Sequence, residues 1–197
     1  KFSLPYDFLN KKIILYAPTF RENKKIKFFP FPDFDPLSLH NFLSNKDIYI
    51  LLRTHYKENL SCHIEKDEFL SKRIISADWK KFEDIYELLP FVDILITDYS
   101  SIFLDFLILN RPIIFIPYDK EDFFKIRQLL YDYEAVTPGP KIKTQKELIS
   151  WIDKFLGGSE EYKKEREILQ KFFHKFNDGY SYRRIYKLLK NSLYFPE

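Results

Sequence analysis

The chain has 197 residues, with 32 Lys+Arg against 29 Asp+Glu, a net charge of +3. That length suits one domain with a real core, and 45% hydrophobic with 31% charged residues is a globular composition, not a disordered one. Four Gly and a single Cys exclude a collagen-like chain and a disulfide scaffold, and a charge of +3 is too weak by itself to argue for nucleic acid. No apolar run approaches the roughly 18 to 20 residues of a membrane-spanning helix, and the first residues carry no signal-peptide pattern. The lone Cys62 fits a reducing compartment. The absence of Met and the start at Lys1 suggest a piece of a longer protein.

Taken in chain order, the first element is the apolar run Lys12 to Ala17, closed by Pro18 and read as a buried strand. A loop rich in Lys, Phe and Pro follows, from Arg21 to Pro36. Leu37 to Leu43 reads as a short helix, Ile48 to Leu52 as a second buried strand, and Arg73 to Ser76 as a third. Phe82 to Leu89 has helical spacing. Val92 to Asp98 is a strand and Ser100 to Leu109 a helix. Asn110 stands where a helix end favours a residue tolerant of positive φ, with Pro112 two residues on. Pro112 to Pro117 is another strand. The remainder is helical: Gln145 to Leu156, Glu160 to Phe176 and Ser181 to Leu189.

Apolar strands without clean alternation, separated by helices, indicate a parallel sheet covered on both faces. The expected fold is a Rossmann-like α/β domain with a helical C-terminal extension, a single nucleotide-binding domain over 1–197. Ligands of such sheets sit beyond the C-terminal ends of the strands. That rule singles out Thr19 and Arg21, Arg53 and His55, Thr97, Asp98, Ser100 and Ser101, and the segment from Pro117 to Asp119.

Ser100 and Ser101 open a helix, whose amide groups and positive dipole end suit an anion; the competing reading is helix capping alone. Asp105 lies one turn further along the same face among apolar neighbours, so its carboxylate needs a partner: a ribose diol, or an ion pair with Arg111. Arg53 and His55, two apart on an extended segment, point to the same side and form a candidate pyrophosphate clamp, against the alternative of a solvated or structural His. His40, His63 and His174 lack such a strand-end position. The four His and one Cys show no metal-ligand spacing, so no metal is expected. No Gly-x-Gly-x-x-Gly and no Walker loop occur, which disfavours nicotinamide, flavin and P-loop sites. Pro138-Gly139-Pro140 reads as a rigid turn.

In order along the chain, Ile14-Leu15-Tyr16-Ala17-Pro18-Thr19-Phe20-Arg21, Leu52-Arg53-Thr54-His55-Tyr56, Asp93 to Ser101, Arg111-Pro112, Tyr118-Asp119 and Pro138-Gly139-Pro140 resemble the CDP-glycerol glycerophosphotransferase family. So do the late Asp178-Gly179, Ser181 and Arg183-Arg184-Ile185. The resemblance implies the C-terminal, nucleotide-binding half of a two-domain GT-B transferase, whose N-terminal half would be a partner from the same protein. It implies His55 as the essential His near the donor pyrophosphate, Ser100 and Ser101 on the phosphates, and Asp105 toward the ribose. Arg53 departs from the Lys of many members, which keeps the charge and alters phosphate geometry. The implied activity is transfer of a phosphoalcohol from CDP-glycerol, or a related CDP-alcohol, to a polymer or lipid-linked acceptor in teichoic-acid or capsule synthesis, with no cofactor.

A GT-B glycosyltransferase using a nucleotide sugar, and a non-catalytic nucleotide-binding module, are the alternative readings. Localisation is expected to be cytoplasmic, with peripheral contact at the inner face of the cell membrane. Lys171, Lys175, Arg183, Arg184, Lys187 and Lys190 are interleaved with Phe172, Phe173, Phe176, Tyr182 and Tyr186, a pattern suited to an anionic surface. Packing of those aromatics on the sheet is the competing expectation, favoured by Glu160, Glu161, Glu165 and Glu167.

Overall fold

A computed structural model describes residues 10–21, 26–53, 67–77 and 82–192. Five strands form one parallel sheet: β1 (Lys12–Tyr16), β2 (Ile48–Leu52), β3 (Ile74–Ser76), β4 (Ile94–Thr97) and β5 (Ile113–Phe115). Their spatial order is β3-β2-β1-β4-β5, so the chain reverses its direction of travel across the sheet between β1 and β4. The register brings all the C-terminal ends to one edge, with Tyr16 opposite Leu52 on one side and Ile96 on the other, and Thr97 opposite Phe115.

The strand sequences explain why both faces are covered. Ile14 and Tyr16 of β1 point into one apolar layer, which α1 (Pro36–Asn45) and α5 (Gln145–Leu156) close with Leu39, Leu43, Leu148 and Ile152. Ile13 and Leu15 point into the other, closed by Phe103, Phe106 and Leu107 of α2 (Ile102–Phe106) and its 3₁₀ continuation Leu107–Leu109. Alternate residues of one strand thus feed two cores, and continuous burial replaces alternation. Asn110 ends the second helix at φ 50°, as its position after Leu109 predicts.

Three expectations change. Phe82 to Leu89 is not one helix: it is two 3₁₀ turns, Ile85–Glu87 and Leu89–Phe91. Pro90 lacks the amide that would bond the carbonyl four residues back, so an α-helix cannot run on through it, and Asp84 is extended where the first turn begins. The helix expected from Glu160 begins only at α6 (Lys163–Phe173) and ends before Phe176. Two short helices, α3 (Lys120–Ile126) and α4 (Tyr133–Val136), stand between β5 and α5 where no element was expected.

Pro138-Gly139-Pro140 is more than a loop. All three residues are buried; the Phe115 amide donates to Pro140 O at 2.9 Å, and the Ile142 amide donates to Phe115 O at 2.9 Å. A Cβ on Gly139 would lie 2.0 Å from Ile113 O, so only glycine lets this turn lie against β5. The last helix, α7 (Ser181–Ser192), projects Tyr182, Ile185, Tyr186 and Leu189 from one face, each more than half exposed. Among the described residues, no helix is long and apolar enough to cross a membrane.

Candidate functional site at the C-terminal edge of the sheet

The loops leaving β1, β4 and β5 are joined by a buried ionic network. Asp98 follows β4 and is 1% exposed. Its Oδ1 accepts from the Thr19 amide (2.8 Å), the Thr19 hydroxyl (2.6 Å) and the Tyr99 amide, and its Oδ2 accepts from Arg21 Nη2 at 2.8 Å. Arg21 also donates from Nε and Nη2 to Asp119 beyond β5 (2.9 and 2.8 Å), and from Nη1 to Thr19 O (2.6 Å). Its guanidinium lies against the rings of Phe123, Tyr99 and Tyr118, with 4.8, 5.2 and 5.6 Å to their centroids. Burial disfavours the Arg21 charge, but Asp119 and Asp98 more than offset it and hold the group above its usual pKa. Burial first, then the Asp119 charge, pushes the Tyr99 hydroxyl well up, so it stays neutral.

In this structure Thr19, Arg21, Thr97 and Asp98, expected at the phosphate, direct their side chains at one another, at Asp119 and at the backbone. Thr97 is wholly buried and donates its hydroxyl to Ala17 O at 2.8 Å. The Thr19 hydroxyl proton is directed at Asp98, and the guanidinium of Arg21 is surrounded by its two carboxylates and Thr19 O. These four side chains tie the loops after β1, β4 and β5 together at the C-terminal edge of the sheet. Arg53 reaches backbone as well. Its guanidinium reaches across to backbone carbonyls, donating to Ala77 O (2.9 Å), Phe82 O and Glu83 O, and so ties the end of β2 to the segment after β3. His55 and Thr54 lie outside the described residues.

Ser100 and Ser101 stand differently. They follow the Asp98-Tyr99 pair at the point where strand order reverses, the position at which open α/β sheets bind ligands. Ser101 is the residue before α2, but its side chain makes no capping bond, and neither serine hydroxyl has a hydrogen-bond partner among the described residues. Capping therefore does not account for the pair. Asp105, one turn on, does not meet Arg111, which donates instead to Pro90 O and Val92 O. The partner of Asp105 is Tyr86, whose hydroxyl donates to Oδ2 at 3.2 Å.

Two further side chains brace this edge: Asp119, which lies in the strand-end segment the sequence singles out, and His174, which the sequence does not. Asp119 completes the network around Arg21 from 98 residues away. His174 follows α6, and its Nε2 donates to Leu104 O at 2.6 Å, while Gln170 donates to Ile108 O at 3.0 Å. Both bonds satisfy carbonyls near the end of a short helix, where intrahelical donors run out, and brace the helix that carries Ser101 and Asp105. No sequence spacing signals a contact 70 residues apart.

The family model described as CDP-Glycerol:Poly(glycerophosphate) glycerophosphotransferase matches residues 6–191. The chain is 41% identical over 176 residues to a teichoic acid poly(glycerol phosphate) polymerase of Bacillus spizizenii, covering 85% of this chain and 41% of that protein. It is 37% identical over 180 residues to a teichoic acid poly(ribitol-phosphate) polymerase of the same organism, covering 88% and 26%. Among solved structures it is similar to a variant of the wall teichoic acid polymerase TagF soaked with CDPG, with a TM-score of 0.67 at 28% identity, over 92% of this chain and 42% of that one. The chain thus spans less than half the length of these relatives. By the extent of that match, the chain belongs to the CDP-glycerol:poly(glycerophosphate) glycerophosphotransferase family.

Proposed function

We propose that this chain is the donor-nucleotide half of a transferase that moves glycerol phosphate, or a related alcohol phosphate, from a CDP-alcohol to an acceptor hydroxyl during cell-wall polymer synthesis. One observation carries the reading: two unengaged serine hydroxyls, Ser100 and Ser101, at the strand-order reversal, directly before a helix. Hydroxyls and first-turn amides are the donors that a pyrophosphate takes at such an edge. Asp105, one turn along, offers its free Oδ1 to a ribose hydroxyl.

In the transfer, the acceptor oxygen attacks the β-phosphorus, the bond from that phosphorus to the bridging oxygen breaks, and cytidine monophosphate departs with the electron pair. The acceptor proton passes to a base, which we assign to the part of the protein beyond this chain. We assign to His55 the neutralisation of the charge that develops on the departing cytidine monophosphate. The fragment alone then binds donor without turning it over. The distribution of polar groups agrees: the interior network uses its charges on one another, so donor selection rests on the serines, Asp105 and His55.

Calorimetric titration of the chain with CDP-glycerol, CDP-ribitol, UDP-sugars and GDP-sugars tests the reading. Tighter binding of the CDP-alcohols supports it; tighter binding of a UDP- or GDP-sugar replaces it with glycosyl transfer on the same fold.

A second reading concerns location, and α7 favours it. Its sequence from Ser181 to Ser192 holds Arg183, Arg184, Lys187 and Lys190 with no acidic residue, and its apolar face is uncovered. Cations beside an exposed Tyr, Ile and Leu face match the surface of an anionic bilayer. Peripheral attachment through α7 fits a lipid-linked acceptor.

A further inference from the structure

We infer that Tyr86 is a specificity-determining residue of the donor site, its ring forming the platform on which the nucleobase stacks. The inference rests on the donor-site reading above and adds a ligand contact to it.

The observations begin with how the ring is held. Tyr86 lies in the 3₁₀ turn Ile85–Glu87, which Asp84 caps by accepting from the Tyr86 amide at 2.8 Å. The next residues, Leu88 and Leu89, are buried in the core, so the turn is fixed from behind. The residue is 57% exposed on a turn anchored in the core. Its hydroxyl is not free to wander, because it donates to Asp105 Oδ2 at 3.2 Å. The result is a fixed aromatic surface open to solvent and attached at its tip to a carboxylate of the site.

The order of groups then matches the order of a nucleotide. Ser100 and Ser101 take the phosphates. Asp105 lies four residues beyond Ser101, about 6 Å along a helix axis, and takes the ribose. Tyr86 touches Asp105 and comes from the neighbouring segment, so the base that extends beyond the ribose meets its ring. The hydrogen bond occupies only one carboxylate oxygen; Oδ1 of Asp105 has no partner among the described residues and is left for a ribose hydroxyl. Stacking on an aromatic ring is tolerant of which base is present, so Tyr86 contributes preference for a nucleoside over a bare phosphate compound, and edge-on groups elsewhere select cytosine.

The test is a titration of the chain and of Tyr86→Ala, Tyr86→Phe and Tyr86→Trp with CDP and with inorganic pyrophosphate, alongside thermal melts. The expected pattern is a loss of about tenfold or more in CDP affinity for the alanine variant, with pyrophosphate affinity within about twofold of the parent. The phenylalanine and tryptophan variants, which keep a ring, stay within about threefold of the parent for CDP. CDP affinity unchanged in Tyr86→Ala overturns the platform while leaving the donor site standing. A phenylalanine variant as weak as alanine also overturns it, since the hydroxyl would then be the whole contribution. A parent chain that fails to bind CDP at all overturns the donor-site reading itself, and this inference with it.

Discussion

Arg21 and Asp98, 77 residues apart, meet through a 2.8 Å bond with both side chains almost wholly removed from water. Two charges are seldom buried together unless each is satisfied, and here Asp119 and Thr19 supply what the pair lacks. The consequence for function is geometric. The loops after β1, β4 and β5 cannot move independently, so the Tyr99-Ser100 turn is presented in one conformation. Removing the cation leaves the carboxylates of Asp98 and Asp119 without a neutralising charge between them. Arg21→Met should therefore cost about 3–5 kcal/mol of folding stability, the usual scale for breaking one side of a buried pair. Urea denaturation of parent and variant measures it. A loss below about 1 kcal/mol would show that water reaches the network and that the pair is not the tie described.

Ser100 and Ser101 should behave in the opposite way. Their hydroxyls bond nothing among the described residues, so replacing both with Ala leaves the melting temperature within a few degrees of the parent. Binding of CDP should weaken by about tenfold or more, on the scale of losing hydrogen bonds to a charged ligand. Calorimetry and a thermal melt on the same preparation separate the two effects. Unaltered CDP affinity removes the serines from the donor site.

His55 carries the chemical prediction. It comes three residues after the end of β2 in the sequence. In the full-length protein, His55→Ala should lower turnover by at least about 100-fold with the fold retained. A steady-state assay with a CDP-alcohol donor measures this, and near-normal turnover in a folded variant rejects the role.

The contrast between Arg21 and Ser100 also explains what was readable in the sequence. Strand identity was readable because burial on both faces leaves an unbroken apolar run, and Ile48–Leu52 and Gln145–Leu156 fall where hydrophobicity and capping place them. The place of the serine pair at the C-terminal edge was readable because it closely follows the apolar run of β4. Arg21 and Asp98 share that edge, and nothing local tells an arginine aimed at a ligand from one aimed at a carboxylate 77 residues away. Helices α3 and α4, seven and four residues long, are shorter than the period a hydrophobic pattern needs to declare itself. Tyr86 was hidden because its meaning comes from a contact between elements.

Gly139 tests the reading of the Pro-Gly-Pro turn as a fixed addition to the sheet. With 2.0 Å between a built Cβ and Ile113 O, Gly139→Ala must push the turn from β5 or bend the strand. Overpacking of this kind costs about 1–3 kcal/mol. The amide hydrogens of Phe115 and Ile142, which pair across this turn, should also exchange faster with solvent. Parent-like exchange at both amides would mean the turn accommodates a methyl group without yielding.

The last prediction concerns α7. Its corner is set by Asp178, which accepts two 2.9 Å bonds from Arg184, while the Arg184 guanidinium sits over Phe176, 3.9 Å from the ring centroid. The side-chain hydrogen bond from Arg184, reinforced by the Tyr180 amide, pulls the Asp178 carboxyl down to about 2, so the corner stays ionised at any ordinary working pH. Beyond it, Ile185, Tyr186, Leu188 and Leu189 stand 53–67% exposed beside four cations. Glutamates dilute the charge of α6, where Glu165 and Glu167 lie among its lysines, but they do not extend into α7. Each cation near an anionic surface contributes about 1 kcal/mol, and the inserted apolar side chains add to it. The chain should therefore sediment with phosphatidylglycerol vesicles at low salt and remain in the supernatant with phosphatidylcholine alone. Ile185→Asp combined with Leu189→Asp should abolish sedimentation while leaving the melting temperature unchanged, because both side chains are exposed in the folded chain. A parent chain that stays in the supernatant with anionic vesicles would assign the uncovered face of α7 to a protein contact and not to lipid.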